Sequence, residues 1–206
     1  MEDRAVPEWL NVSRETKSGL LDLLALVLKW NRTVNLVSAQ SAAHTWERHI
    51  LDSAQLSTFF DDDMRVWCDI GSGGGFPGLV LATLARAKAP DLLFQLVESD
   101  QRKATFLHEA ARVLGASVTV VCDRAENLRS FGADVVSARA LADLPTLLMH
   151  AKRHLQPSGL ALFMKGAAYR REIDLSRKDW IYDCVANPSR TSPTAAVLAI
   201  RNIRHV

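Results

Sequence analysis

The stretch Asp69-Ile70-Gly71-Ser72-Gly73-Gly74-Gly75-Phe76-Pro77-Gly78 constrains the fold of this chain more than any other feature. It follows a short apolar run beginning at Arg65 and leads into a helical pattern, with Pro77 suited to a first helical turn. Glycines let a backbone turn sharply and approach a ligand without a Cβ in the way. A strand, a glycine loop and a helix in that order form the first half of a βαβ unit. In an open parallel sheet such a loop lies at the carboxyl edge, where ligands bind at a topological switch point. Glycines that serve only a tight turn are the competing account, and five of them in eight residues weigh against it.

The texture on either side agrees. From Arg65 onward short apolar runs alternate with longer helical patterns, which signals a mostly parallel sheet. Strands are expected at about 65–70, 92–97, 117–122, 134–138 and 160–165, and helices at about 77–87, 101–114 and 143–154. Pro157-Ser158-Gly159 marks a turn into the fifth strand. A further helix at about 168–176 and two closing strands, Trp180 to Val185 and Ala195 to Ile203, complete a doubly wound α/β sheet. The first sixty residues read as a helical extension. There Ser13 is a candidate N-cap with Glu15 in the first turn, and Leu20, Leu21, Leu23, Leu24, Leu26, Val27 and Leu28 form a broad apolar face. A second helix is expected from Ser41, carrying Trp46 to Ile50. The division is thus 1–60 as extension and 61–206 as the ligand-binding domain, together one compact unit.

Composition sets outer limits. A chain of 206 residues with 48% hydrophobic and 23% charged residues can build a core without a metal or disulfide staple. A formal net charge of +2 is too mild to identify a nucleic-acid binder. Cys68, Cys122 and Cys184 are far apart and form no C-x-x-C pair, so they are expected to be buried free thiols. The start Met1-Glu2-Asp3-Arg4 is acidic and precedes no apolar h-region, and Leu20 to Leu28 is too short to span a bilayer. A cytoplasmic protein without membrane association is the expectation.

As a ligand signature the loop is ambiguous. Gly73, Gly75 and Gly78 satisfy G-x-G-x-x-G, and Glu98 lies twenty residues beyond Gly78 at the end of the second strand. A carboxylate there can accept from both hydroxyls of an adenosine ribose, in NAD or in S-adenosylmethionine. Asp69 extends the pattern to D-x-G-x-G-x-G, which with the lack of a hydride-transfer constellation favours the methyl donor. Two further groups sit at the same edge. Asp123-Arg124-Ala125-Glu126 follows the third strand, where a carboxylate or backbone group can meet an adenine, or where a solvated turn begins. Arg139 emerges from an apolar fourth strand and needs an anionic or carbonyl partner, whether ligand or structural salt bridge.

Toward the C-terminus, Lys165 and onward supply eight Lys or Arg against four Asp or Glu. Lys165, Arg170, Arg171, Arg177 and Lys178 are candidates for phosphate contacts, the alternative being a solvated helix face. Arg48 and His49 are candidates for anchoring the N-terminal helices over the ligand pocket or for phosphate contact, the alternative being helix packing with local salt bridges. His44 and His49 are five apart, off a common helical face, and no metal site is expected.

Several segments together resemble one family. Asn35-Leu36, Trp46-Glu47-Arg48-His49-Ile50-Leu51-Asp52-Ser53, the glycine loop, Glu98-Ser99-Asp100 with Lys103 and Phe106-Leu107, Arg124-Ala125-Glu126, Ser137-Ala138-Arg139-Ala140 and Met164-Lys165-Gly166 appear in its order and spacing. The chain resembles the bacterial small-subunit (16S) ribosomal RNA methyltransferase G family, also called glucose-inhibited division protein B, from about Asn31 to Gly166. Gly74 stands where the family commonly has Ala, and the stretch after Gly166 matches only loosely. The resemblance implies a class I (Rossmann-like) methyltransferase fold with a seven-stranded sheet. It implies S-adenosylmethionine as donor and N7 of one guanine, position 527 of 16S ribosomal RNA, as acceptor. It assigns the donor to Gly71, Phe76, Ala125, Glu126 and Arg139, beside the Gly73 and Glu98 read from the loop pattern. The partner is 16S RNA or an assembling small subunit, with the protein acting as a monomer. N7 carries a free lone pair and no proton, so no catalytic acid or base is required. The other readings are a methyltransferase of a small molecule or another RNA, and a nucleotide- or NAD-binding domain.

Overall fold

The computed structural model describes residues 4–206; the start Met1 to Asp3 lies outside the described residues. The first element is helix α1 (Arg14–Trp30), capped by Ser13, whose Oγ accepts from the Thr16 amide at 3.2 Å. Its buried stripe of Leu20, Leu23 and Val27 is fully shielded from solvent, a contribution of about 1.5–3 kcal/mol per side chain. The expected second helix is instead broken. A short α2 (Ala39–Ala42), capped by Ser38, gives way to a single wide π-helical turn at Trp46–Leu51, then to α3 (Asp52–Ala54) and a 3₁₀ segment at Gln55–Phe59. The polar side chains in this stretch explain the break. Ser41 and Thr45 hydroxyls and the Gln55 amide each donate to the carbonyl three residues back, competing with the regular ladder.

Seven strands follow: β1 (Val66–Ile70), β2 (Leu93–Val97), β3 (Val118–Val121), β4 (Ala133–Arg139), β5 (Leu155–Lys165), β6 (Trp180–Pro188) and β7 (Ala196–His205). They form one sheet in the order β3-β2-β1-β4-β5-β7-β6. All neighbours are parallel except the β5–β7 and β6–β7 pairs, so the closing strands form an antiparallel hairpin. Chain order reverses between β1 and β4, and the glycine loop leaves β1 at that switch point. Helices α4 (Gly78–Lys88), α5 (Gln101–Leu114), α6 (Leu144–His154) and α7 (Tyr169–Ser176) supply the crossovers. Helices α1, α4 and α5 pack one face of the sheet around Trp67 and Phe94. Helices α6 and α7 pack the other around Val136 and Phe163.

Two further expectations need correction. The Pro157-Ser158-Gly159 turn does not precede β5 but interrupts it: Leu155 already pairs with Ala133, and Leu160 pairs next with Val135. The intervening residues bulge out because two partners on β4 face a longer segment on β5. Of the three free cysteines only Cys68 is buried; Cys122 is exposed at the end of edge strand β3, and Cys184 is half-buried on edge strand β6. Among the described residues no helix is long and apolar enough to cross a membrane.

Candidate functional site

The loop after β1 is held by its own acidic residue. Asp69 is wholly buried; its Oδ2 accepts from the Gly78 amide at 3.1 Å and its Oδ1 from the Ser137 hydroxyl at 2.7 Å. Ser137 also accepts from Trp67 Nε1, and the Ser72 hydroxyl donates to the Asp69 carbonyl. One carboxylate thus closes the loop onto the start of α4 and pins β1 to β4. Burial raises its pKa to about 6 against these hydrogen bonds. Gly78 is required by contact: a Cβ there would lie 2.3 Å from Leu96 Cδ2 and 2.8 Å from Asp69 Oδ2. Gly73 has φ +54°, and a Cβ there would meet only the Gly71 carbonyl, at 3.7 Å, so its outer side is open.

Glu98 follows β2 and is buried. Its Oε2 accepts from the Gly73 amide and its Oε1 from the Asp100 amide, both at 2.8 Å. Asp100 in turn caps α5 through Arg102 and Lys103 amides. The carboxylate is therefore fixed at the rim, bonded to the glycine loop itself. Above it lies a cleft of about 440 Å³ lined by Gly71, Gly73, Phe76, Glu98, Lys103, Arg139 and, from the N-terminal extension, Leu36, Val37 and Ser38. A narrower recess of about 130 Å³ adjoins it, lined by Gly71, Ser99, Asp123, Ala125, Glu126 and His150. Leu141 lines both, half-exposed, with Cδ1 2.6 Å from where a Gly71 Cβ would stand. Ala125 is held at the recess by its carbonyl, 3.0 Å from His154 Nε2.

Arg139 has the partners its position demands, and they come from the extension. Its Nη1 donates to the Arg48 carbonyl at 3.1 Å and lies 3.5 Å from the Asp52 carboxylate; its Nη2 meets His49 Nδ1. The guanidinium also lies 5.7 Å from the Phe76 ring centroid, on which the His49 imidazole stacks at 5.1 Å. Burial, aided by Arg139 and Arg48, lowers the His49 pKa to about 4.

Beyond this joint opens a larger cleft of about 610 Å³. Glu47, Arg48, His49, Asp52, Gln55, Arg139, Lys165, Glu172 and the β6–β7 loop at Ser189–Ser192 line it. Asp52 Oδ1 accepts from Thr191 Oγ1 and Gln55 Nε2, while Gln55 Oε1 accepts from the Arg190 amide, so the extension and the hairpin are tied across the cleft. Lys165 does line it, but its ammonium is engaged: Nζ lies 2.6 Å from Glu172 and 3.0 Å from the Ala142 carbonyl, with the side chain only 9% exposed. A strand-end lysine this deep needs a carboxylate, and α7 provides one. Arg170 and Arg171 stand exposed on α7 and line neither cleft.

The structure therefore gathers Gly71, Gly73, Phe76, Glu98 and Arg139 around one cleft and sets Ala125 and Glu126 at the adjoining recess. Leu36–Ser38, Asp52, Gln55, Leu141 and Thr191 were not named as site residues by sequence reasoning, although Leu36 and Asp52 stand in segments that carry the family resemblance. Asn31 gave the one available hint, a polar residue just past α1. Its Oδ1 accepts from the Leu36 and Val37 amides at 2.9 Å and folds that segment over the cleft.

Sheet order, rim loop and paired clefts define a class I methyltransferase. Solved structures share the fold: a SAM dependent methyltransferase from Aquifex aeolicus (TM-score 0.58, 14% identity, 76% of this chain and 92% of that one) and M. jannaschii TYW2, solved in complex with AdoMet (TM-score 0.57, 14% identity, 77% and 76%). The family model for rRNA small subunit methyltransferase G matches residues 16–197, and the chain belongs to that family. A Ribosomal RNA small subunit methyltransferase G of Cereibacter sphaeroides is 47% identical over 206 residues, covering both chains fully. One from Rhodospirillum centenum is 48% identical over 192 residues, covering 93% of this chain and 87% of that one.

Proposed function

We propose that this chain transfers a methyl group from S-adenosylmethionine to N7 of guanine 527 in 16S ribosomal RNA. The observation that carries the reading is the rim cleft in which Glu98, bonded to Gly73, faces an open glycine cradle. A nucleoside with an amino-acid tail fits this arrangement. Its ribose hydroxyls would meet Glu98, its adenine the recess at Ala125 and Glu126, and its tail the cleft beside Phe76 and Arg139. S-adenosylmethionine supplies an electrophilic methyl on a sulfonium whose leaving group is a neutral thioether.

The base would enter the larger cleft, which joins the first at His49 and Arg139. The N7 lone pair forms the new bond as the carbon–sulfur bond breaks, and the positive charge moves from sulfur to base. No proton is lost at N7, so the protein needs no general base. Its work is alignment, bringing the reacting atoms within about 3–3.5 Å. N7 is inaccessible to side chains in the deep major groove of an A-form helix, so a splayed or looped nucleotide is the substrate form. Exposed Arg170 and Arg171 on α7 lie beside the cleft as phosphate contacts, and Arg48 on its rim as another. The described part of the N-terminal extension, residues 4–60, supplies a wall of the site and forms one unit with 61–206; the protein acts as a monomer in the cytoplasm, without a metal.

Deleting the gene and mapping N7-methylguanine in small-subunit RNA tests the acceptor: the mark at the target position disappears, and its retention removes this reading. Calorimetric titration tests the donor: S-adenosylmethionine binds, and binding of NAD alone would reassign the loop.

A further inference from the structure

His49 stands in the wall common to both clefts, beside Arg139. A guanidinium N–H can only donate, so the Arg139 Nη2 contact makes His49 Nδ1 the acceptor. The ring proton then sits on Nε2. The depressed pKa keeps the imidazole neutral at pH 7, with that single tautomer. Nε2 is buried and has no hydrogen-bond partner among the described residues. The other polar groups of the shared wall are engaged: Ser38 and Ser41 hydroxyls bond each other at 3.0 Å, and Arg139 is bound to Asp52 and the Arg48 carbonyl.

We propose that the Nε2–H of His49 reads the 6-oxo group of the target guanine. This rests on the guanine-N7 reading above. On a purine the 6-substituent adjoins N7 on the same edge, so a group beside the incoming methyl meets it directly. Guanine presents an acceptor there, whereas adenine presents an amino donor. A fixed N–H donor therefore pairs with guanine and faces adenine donor to donor. Its neutrality suits the reaction as well, because a cation at this point would oppose the charge arriving on the base. Nε2 is shielded in the free protein, so binding of the base must uncover it. Specificity is strongest where a mismatched substrate leaves such a buried polar group unpaired.

The test uses full-length enzyme and small-subunit RNA ligated with either guanine or 2-aminopurine at the target position. 2-Aminopurine keeps N7 and the 2-amino group and lacks the 6-oxo group. Wild-type kcat/KM should fall about 10- to 100-fold on this replacement, the range expected for an unpaired buried donor. His49→Ala should lose as much on guanine RNA and show no further loss on 2-aminopurine RNA, so the guanine preference collapses toward one. His49→Gln, which restores an N–H, should regain part of the preference and guards against a folding defect. A donor-side or purely structural role would slow both RNAs equally. Retention of the wild-type preference in His49→Ala overturns the assignment. Failure of the wild type to methylate guanine RNA would instead remove the underlying N7 reading.

Discussion

Replacing Glu98 by Gln removes one charge and turns one oxygen into an NH₂ group with almost no change in volume. Both carboxylate oxygens are already engaged, at 2.8 Å from the Gly73 and Asp100 amides. In the variant one of those backbone donors faces the new NH₂ and is left buried and unpaired, a loss of about 1–3 kcal/mol in stability. For a chain of this size that lowers Tm by roughly 2–12 °C. The donor loses more specifically. Hydroxyl hydrogen bonds to an ionised acceptor contribute about 1.5–3 kcal/mol each, and an amide oxygen retains only part of that. We expect the Kd for S-adenosylmethionine to rise roughly 10- to 100-fold. Isothermal titration with S-adenosylmethionine and its demethylated product, alongside thermal unfolding, measures both effects. Glu98→Asp keeps the charge but draws it back from Gly73, and should weaken binding comparably. A folded Glu98→Gln protein that binds the donor within about twofold of wild type would refute the ribose assignment.

Three further outcomes follow from the same geometry. Gly78→Ala places a Cβ 2.3 Å from Leu96 Cδ2, so overpacking should cost about 1–3 kcal/mol and weaken donor binding; an unchanged Tm and Kd would contradict this. The Asp69 pKa is raised from 3.8 to about 6, chiefly by burial. Its neutral form is therefore favoured by folding, and the associated stability, roughly 3 kcal/mol, is full below about pH 4 and fades as pH rises through 6. Denaturant unfolding of wild type against Asp69→Asn should show the wild type losing stability relative to the variant across that window, and a constant difference would contradict it. Arg170→Ala/Arg171→Ala should flatten the slope of log K for RNA against log salt by roughly 1.4–1.8 for two lost phosphate contacts; an unchanged slope removes them from the RNA surface.

What the sequence made plain is what the backbone alone demands. The glycine loop and the parallel frame are local matters, and α5 (Gln101–Leu114) falls where its Asp100 cap and apolar spacing place it. Arg139 was legible because a charge at the end of an apolar strand must find a partner. The identity of that partner was not, since Asp52 lies 87 residues away in the N-terminal extension. The same holds for Thr191, which meets Asp52 across 139 residues of chain. Lys165 shows the same limit from the other side: a basic residue followed by arginines suggests phosphate, and only the fold reveals that its ammonium is paired with Glu172.

This asymmetry follows from the chemistry. Acid–base catalysis would require paired side chains of tuned pKa, the kind of constellation that motif spacing exposes. Methylation at a lone pair requires only that two ligands be held in line, and a donor common to many enzymes is held largely by backbone shape, which glycines record. The larger cleft forms where the π-turn at Trp46–Leu51, the end of β4 and the β6–β7 loop converge. Each is unremarkable in sequence, and their meeting depends on the sheet order. The break in the N-terminal helix has a geometric consequence: the wide turn brings His49 onto Phe76 and Asp52 toward Arg139 at once. A regular helix from Ser41 would change the angular offset between those two side chains and separate the two contacts.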